Sequence, residues 1–106
     1  MRTLLLPLVL AISPAALAQP LSTVAEQSGF VRTGRYAEVV QMCEAFAKAY
    51  PAAVHCIQFG TTPQGRPMKA LVASTSGALD PAAARERGLP VVLIQGGIHA
   101  GEIDGK

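Results

Sequence analysis

The sequence predicts an α/β fold organised on a mixed sheet, and three stretches carry that prediction. Residues 36–50 place apolar side chains at helical spacing. Residues 54–59 and 68–74 read as two strands of a hairpin. Val91-Val92-Leu93-Ile94 is a continuous, β-branched-rich apolar run. A short run of that kind is the pattern of a strand buried on both faces. The sheet is therefore expected to start with the hairpin and to gain a core strand at 91–95.

Taken in order, residues 1–18 read as a secretory signal peptide. Arg2 gives the positive start, Leu4 to Leu17 the apolar core, and Ala16-Leu17-Ala18 the small-x-small cleavage pattern before Gln19. The apolar run is about fourteen residues, short of the roughly twenty that span a bilayer. No cysteine follows it at the cleavage point, which argues against a lipoprotein. The expectation is a periplasmic or secreted protein with no stable membrane insertion after cleavage.

Residues 19–35 form an N-terminal arm, polar and mixed from Gln19 to Ser28 and expected to be loosely held. The helix that follows lines up Tyr36, Val39, Val40, Cys43, Phe46, Ala47 and Tyr50, with Glu38, Gln41, Glu44 and Lys48 mainly opposite. Pro51 ends it, because proline disfavours helical geometry in the residue before it. Aromatic residues at this spacing are core packing rather than a ligand stripe.

Val54 to Phe59 alternates, and Met68 to Ser74 gives the second strand. Between them Gly60 to Pro67, GTTPQGRP, is a turn. It resembles a phosphate loop only superficially, since no Gly-Lys-Ser/Thr ending follows. Arg66 is expected to solvate the turn. Beyond Ser74 a linker carries a short helix, with Asp80 as N-cap, Pro81 in the first helical position and Gly88 and Pro90 as stops.

Composition narrows the function classes. The chain has 106 residues, 50% hydrophobic and 15% charged, which suits an ordered domain or part of one. Its net charge is +2, and loss of Arg2 with the leader leaves +1. That balance, with no basic run, excludes a nucleic-acid footprint. With two Tyr, three Phe and no Trp, a sugar-stacking surface is poorly supported.

Cys43 lies on the apolar face of the helix and Cys56 on the next strand. Consecutive elements pack, so a Cys43–Cys56 disulfide is the preferred reading if the compartment is oxidising; two buried free thiols are the alternative. Neither cysteine sits where a catalytic thiol would.

The stretch with the most chemistry is VVLIQGGIHAGEIDGK, residues 91–106. Gln95-Gly96-Gly97 breaks the apolar run, and His99 and Glu102 follow three positions apart. Side chains at i and i+3 share a face if the backbone turns helically, so an imidazole and a carboxylate here can converge on one cation. Ala100 and Gly101 leave room beside them. His99 and Glu102 are thus candidate ligands of a catalytic zinc. The bland alternative is a surface His and Glu in a glycine-rich loop.

GGIHAGEIDGK after a hydrophobic strand resembles the first zinc-binding motif of the carboxypeptidase A-like zinc carboxypeptidases. That resemblance implies a truncated, N-terminal portion of a mixed-sheet phosphorylase/hydrolase-like domain over residues 36–106. It implies one zinc ion held by His99, Glu102 and a later His beyond Lys106, with the fourth position open for water, the two-His, one-Glu set given for carboxypeptidase A itself. The turn Gly60-x-x-x-x-Gly65-Arg66 is similar to the G-x-x-x-G-R-like turn joining the family's first two strands, with one residue more. Many digestive members have Arg directly before the Glu; Gly101 stands there in this sequence, so that substrate contact is in doubt. His55 precedes the motif, whereas the family's second His follows it.

The reaction so implied removes a C-terminal amino acid from a peptide by a zinc-activated water. The general base and the carboxylate-binding arginines of the family lie downstream, so no catalytic residue is assigned within residues 1–106, and the chain alone is expected to be inactive. Two other readings stand beside this one. One is an amidase or deacylase on the same scaffold, similar to the aspartoacylase-like relatives, acting on an acylated amino acid. The other is a secreted binding module without catalysis. A later His, an arginine pair and a late Glu would mark the peptidase.

Overall fold

In the computed structural model, residues 21–99, 101 and 102 are described. The elements run α1 (Val24–Gln27), α2 (Tyr36–Ala49), β1 (Val54–Thr61), β2 (Pro67–Ala73) and α3 (Pro81–Glu86). The class is α/β: among the described residues, three helices and a two-stranded antiparallel sheet, with α2 packed on the sheet. No helix among the described residues is long and apolar enough to cross a membrane. The signal peptide assigned to residues 1–18 lies outside the described residues.

α1 sits inside the polar arm. Thr23 and Glu26 close a capping box: the Glu26 amide donates to Thr23 Oγ1 at 3.1 Å, and the Thr23 amide donates to Glu26 Oε2 at 2.7 Å. The helix ends with Gly29 at φ 64 and Phe30 at φ 63, whose amides return to Glu26 and Ala25. That pair of bonds is a Schellman closure. The Val24 amide donates to Glu38 Oε1, which ties the arm to the first turn of α2.

α2 follows its periodicity and stops at Tyr50, directly before Pro51. It lies on the hairpin. The Cys43–Cys56 disulfide is formed, with the Cα atoms 5.3 Å apart. Cys43 Sγ also lies 3.6 Å from the Ala70 carbonyl oxygen. A bridged sulfur has no proton to give, so this is packing contact. At the helix start the Tyr36 hydroxyl donates to the Pro67 carbonyl at 2.7 Å, and the Arg66 guanidinium lies over the Tyr36 ring, 5.3 Å from its centre. Arg66 therefore does more than solvate the turn: its charge is held against an aromatic face. Midway, Lys69 Nζ lies 3.7 Å from Glu44 Oε1.

The hairpin pairs Val54 with Ala73 through Gln58 with Lys69, then slips by one residue at Phe59, so that Gly60 faces Met68 and Thr61 faces Pro67. The slip is a bulge: Phe59 has no partner of its own. The turn is tighter than GTTPQGRP suggests. Thr62 and Arg66 close it with an amide-to-carbonyl bond of 2.8 Å, and Gly65 supplies the left-handed position at φ 76. Pro67 takes the first position of β2, a place where its missing N–H is tolerated.

α3 begins as its residues foretell. Asp80 Oδ1 accepts from the amides of Ala82 and Ala83, both at 2.9 Å, and Pro81 fills the first turn. Gly88, at φ 61, turns the chain out of the helix.

The core strand expected at 91–95 is not formed. Val91, Val92, Leu93 and Ile94 are 80%, 77%, 86% and 91% exposed, and β1 and β2 pair only with each other. A strand buried on both faces needs a ladder neighbour and two covering layers, and among the described residues none meets this run. The buried core is correspondingly slight: Cys43, Ala78 and Ala84.

Candidate metal centre

His99 and Glu102 lie beyond α3, in the segment that follows the exposed apolar run. The backbone bends at His99, and the Glu102 amide returns to the His99 carbonyl at 3.3 Å. One turn of that kind carries residues three apart to the same side. Gly97 at φ 62 precedes it and Gly101 at φ 88 lies within it, both in the left-handed region where a side chain is strained. No atom lies within 4 Å of the place a Gly101 Cβ would take, so backbone conformation rather than crowding favours glycine there.

The two side chains face each other. His99 Nδ1 lies 2.6 Å from Glu102 Oε1. The other carboxylate oxygen, Oε2, accepts from the His99 backbone amide at 3.2 Å. Glu102 thus grips one residue at two points, which fixes the plane of its carboxylate. The side chains are 74% and 40% exposed, so solvent and ions reach them.

This donor set suits zinc. A neutral imidazole nitrogen and a carboxylate oxygen are both zinc donors. In the structure they share a hydrogen bond, so a proton occupies the direction a metal would take. Tetrahedral zinc with ordinary bond lengths needs its donors about 3.3 Å apart, so the pair must open by well under 1 Å. Among the described residues no group of three or more His, Cys, Asp and Glu could hold a metal ion. Two donors from the chain therefore stand together, and the site as described lacks a third.

The other residues weighed from the sequence fall elsewhere. His55 lies on β1, exposed and opposite Val72. Cys43 and Cys56 are consumed in the disulfide, with no free cysteine among the described residues. A shallow hollow between α1 and α2, lined by Val24, Glu38, Gln41 and Met42 among others, holds none of the candidate ligands.

Comparison with known proteins agrees with the motif. Neither a curated protein nor a solved structure matches the chain. The sequence model of the zinc carboxypeptidase family matches residues 39–106, from the first turn of α2 through the His–Glu pair. With well over half its length matched, this chain belongs to the zinc carboxypeptidase family.

Proposed function

We propose that the whole protein is a zinc-dependent metallocarboxypeptidase that hydrolyses C-terminal amino acids from peptides, and that His99 and Glu102 are two of its three protein ligands to zinc. Family membership relates the chain to zinc hydrolases of peptide bonds. The observation that carries the finer reading is the approach of His99 Nδ1 to Glu102 Oε1 within 2.6 Å, inside the matched segment.

Zinc bound there would supply Lewis acidity, the chemistry that activates water and polarises a scissile carbonyl. His99 would hold the ion through Nδ1. Glu102 serves it with Oε1, while the bond from the His99 amide to Oε2 keeps the carboxylate from swinging away. Both side chains are exposed, so solvent and a substrate would reach them. The third ligand, a His, and the general base, a Glu, are assigned beyond Lys106. Residues 36–106 are then the leading portion of the catalytic domain, after a leader at 1–18 and an arm at 19–35. The protein is proposed to act outside the cytoplasm, in the periplasm or as a secreted enzyme. Cleavage before Gln19 is readable by N-terminal sequencing of the mature protein.

The test is zinc content together with chelator-sensitive hydrolysis by the full-length protein, assayed on peptides and on acylated amino acids side by side. His99→Ala should lose metal and activity together. Undiminished peptidase activity in that variant overturns the assignment, and hydrolysis confined to acylated amino acids selects the deacylase reading instead.

A further inference from the structure

We infer that the Cys43–Cys56 bridge is a redox gate on the folding of this chain: α2 docks on the hairpin in the disulfide form and leaves it in the dithiol form. The argument starts from how little else holds these elements together. The described residues bury only Cys43, Ala78 and Ala84, and no large side chain is fully buried. Val39 and Tyr50 on α2, and Ile57, Phe59 and Leu71 on the hairpin, each keep more than two-fifths of their surface in water. An isolated two-stranded hairpin is marginal in water, and so is a single helix of this length. The non-covalent ties between them are surface ones. Tyr36 to the Pro67 carbonyl is solvent-exposed, and in the Lys69–Glu44 pair the lysine side chain is 18% and the glutamate 63% exposed, so water screens the pair from the glutamate side and it contributes little.

The bridge is of another order. Cys43 is the one buried side chain on α2, and Cys56 stands on β1 opposite Leu71. Joining them closes a loop between residues 13 apart in sequence. Closing a loop of that size shifts the folded-to-unfolded ratio by roughly a hundredfold in the chain-entropy model. Residues 1–106 hold two cysteines, so one pairing exists within this stretch. The step itself is thiol–disulfide exchange. The two thiols give up two protons and two electrons to a small-molecule or protein disulfide, which leaves as two thiols while one S–S bond forms in the chain. The inference stands independently of the zinc assignment and of the leader.

Amide hydrogen exchange on the full chain tests it. The oxidised form, the form reduced with dithiothreitol, and the Cys43→Ala/Cys56→Val variant are compared over residues 39–49 and 54–61. Expected is protection in the oxidised form that falls roughly a hundredfold on reduction and returns with glutathione disulfide. The variant should exchange like the reduced form and ignore dithiothreitol. Equal protection in the oxidised and reduced forms, whether high or low, overturns the inference, as does full protection in the variant.

Discussion

Glu102 holds His99 through both carboxylate oxygens, Oε1 at 2.6 Å from the imidazole Nδ1 and Oε2 at 3.2 Å from the backbone amide. The first contact is the one a metal would replace; the second can persist while it does. If zinc binds here as proposed, it would displace the first contact while the second keeps the loop in place.

Backbone conformation sets the first expectation. Gly101 is at φ 88, with open space where a Cβ would project. Gly101→Ala should weaken zinc binding by roughly tenfold, since left-handed geometry costs an L-residue about 1–2 kcal/mol and relief of that strain opens the turn. The readout is zinc affinity by calorimetric titration. The thermal transition of the α2–hairpin unit should not move, because Gly101 touches neither element. Unchanged affinity would show that the turn is not what joins the two donors.

Much of this was legible in the residues because the governing forces are local. The stripe from Tyr36 to Tyr50 encodes α2, Pro51 its end, and Asp80-Pro81 the start of α3. The Cys43–Cys56 pairing follows from two adjacent elements that pack. The spacing of His99 and Glu102 needs only one turn to become proximity. α1 differs: the residues read as a loosely held arm because of their polar composition, although Thr23-Val24-Ala25-Glu26 spells a capping box. The run Val91–Ile94 differs in kind. Its apolar letters state a preference for burial, but a strand's existence depends on a ladder partner distant in sequence, and no local pattern specifies one. The sheet register carries a smaller example, since nothing in the letters marks Phe59 as the bulge.

Glu26 supplies the pH expectation. The Thr23 backbone amide, and then its hydroxyl, hold the Glu26 carboxyl below its ordinary value of 4.5. A carboxyl with a depressed folded value stabilises the fold above its unfolded value and loses that contribution as pH falls through the folded one. The α1 cap should therefore be intact at neutral pH and should open as pH drops below about 4.5, with no change on the alkaline side. The Thr23 amide resonance followed against pH reports it. Glu26→Gln should flatten that titration, and a titration that persists in the variant would assign it to another group.

Gly34 controls the other hold on the arm. A Cβ at Gly34 would fall 1.3 Å from Glu38 Oε2, so Gly34→Ala must displace the carboxylate. Glu38 is a flexible side chain at the first turn of α2, and moving it leaves the helix itself in place. The bond it accepts from the Val24 amide is lost. Hydrogen exchange should quicken at Val24 while the amides of residues 39–49 keep their protection. Quickened exchange throughout α2 would mean that Gly34 supports the helix rather than the arm.

The exposed run gives the last expectation. Ile94 is 91% exposed and touches no element of the sheet, so Ile94→Lys should change the stability of the α2–hairpin unit by less than about 0.5 kcal/mol. The same substitution should reduce self-association of the chain, because a run of exposed β-branched residues without charge is a template for intermolecular pairing and a lysine interrupts it. Thermal denaturation measures the first effect, and light scattering over a concentration series measures the second. A loss of several kcal/mol in stability would mean that the run is packed in solution, and would restore the core strand that the residues themselves foretell.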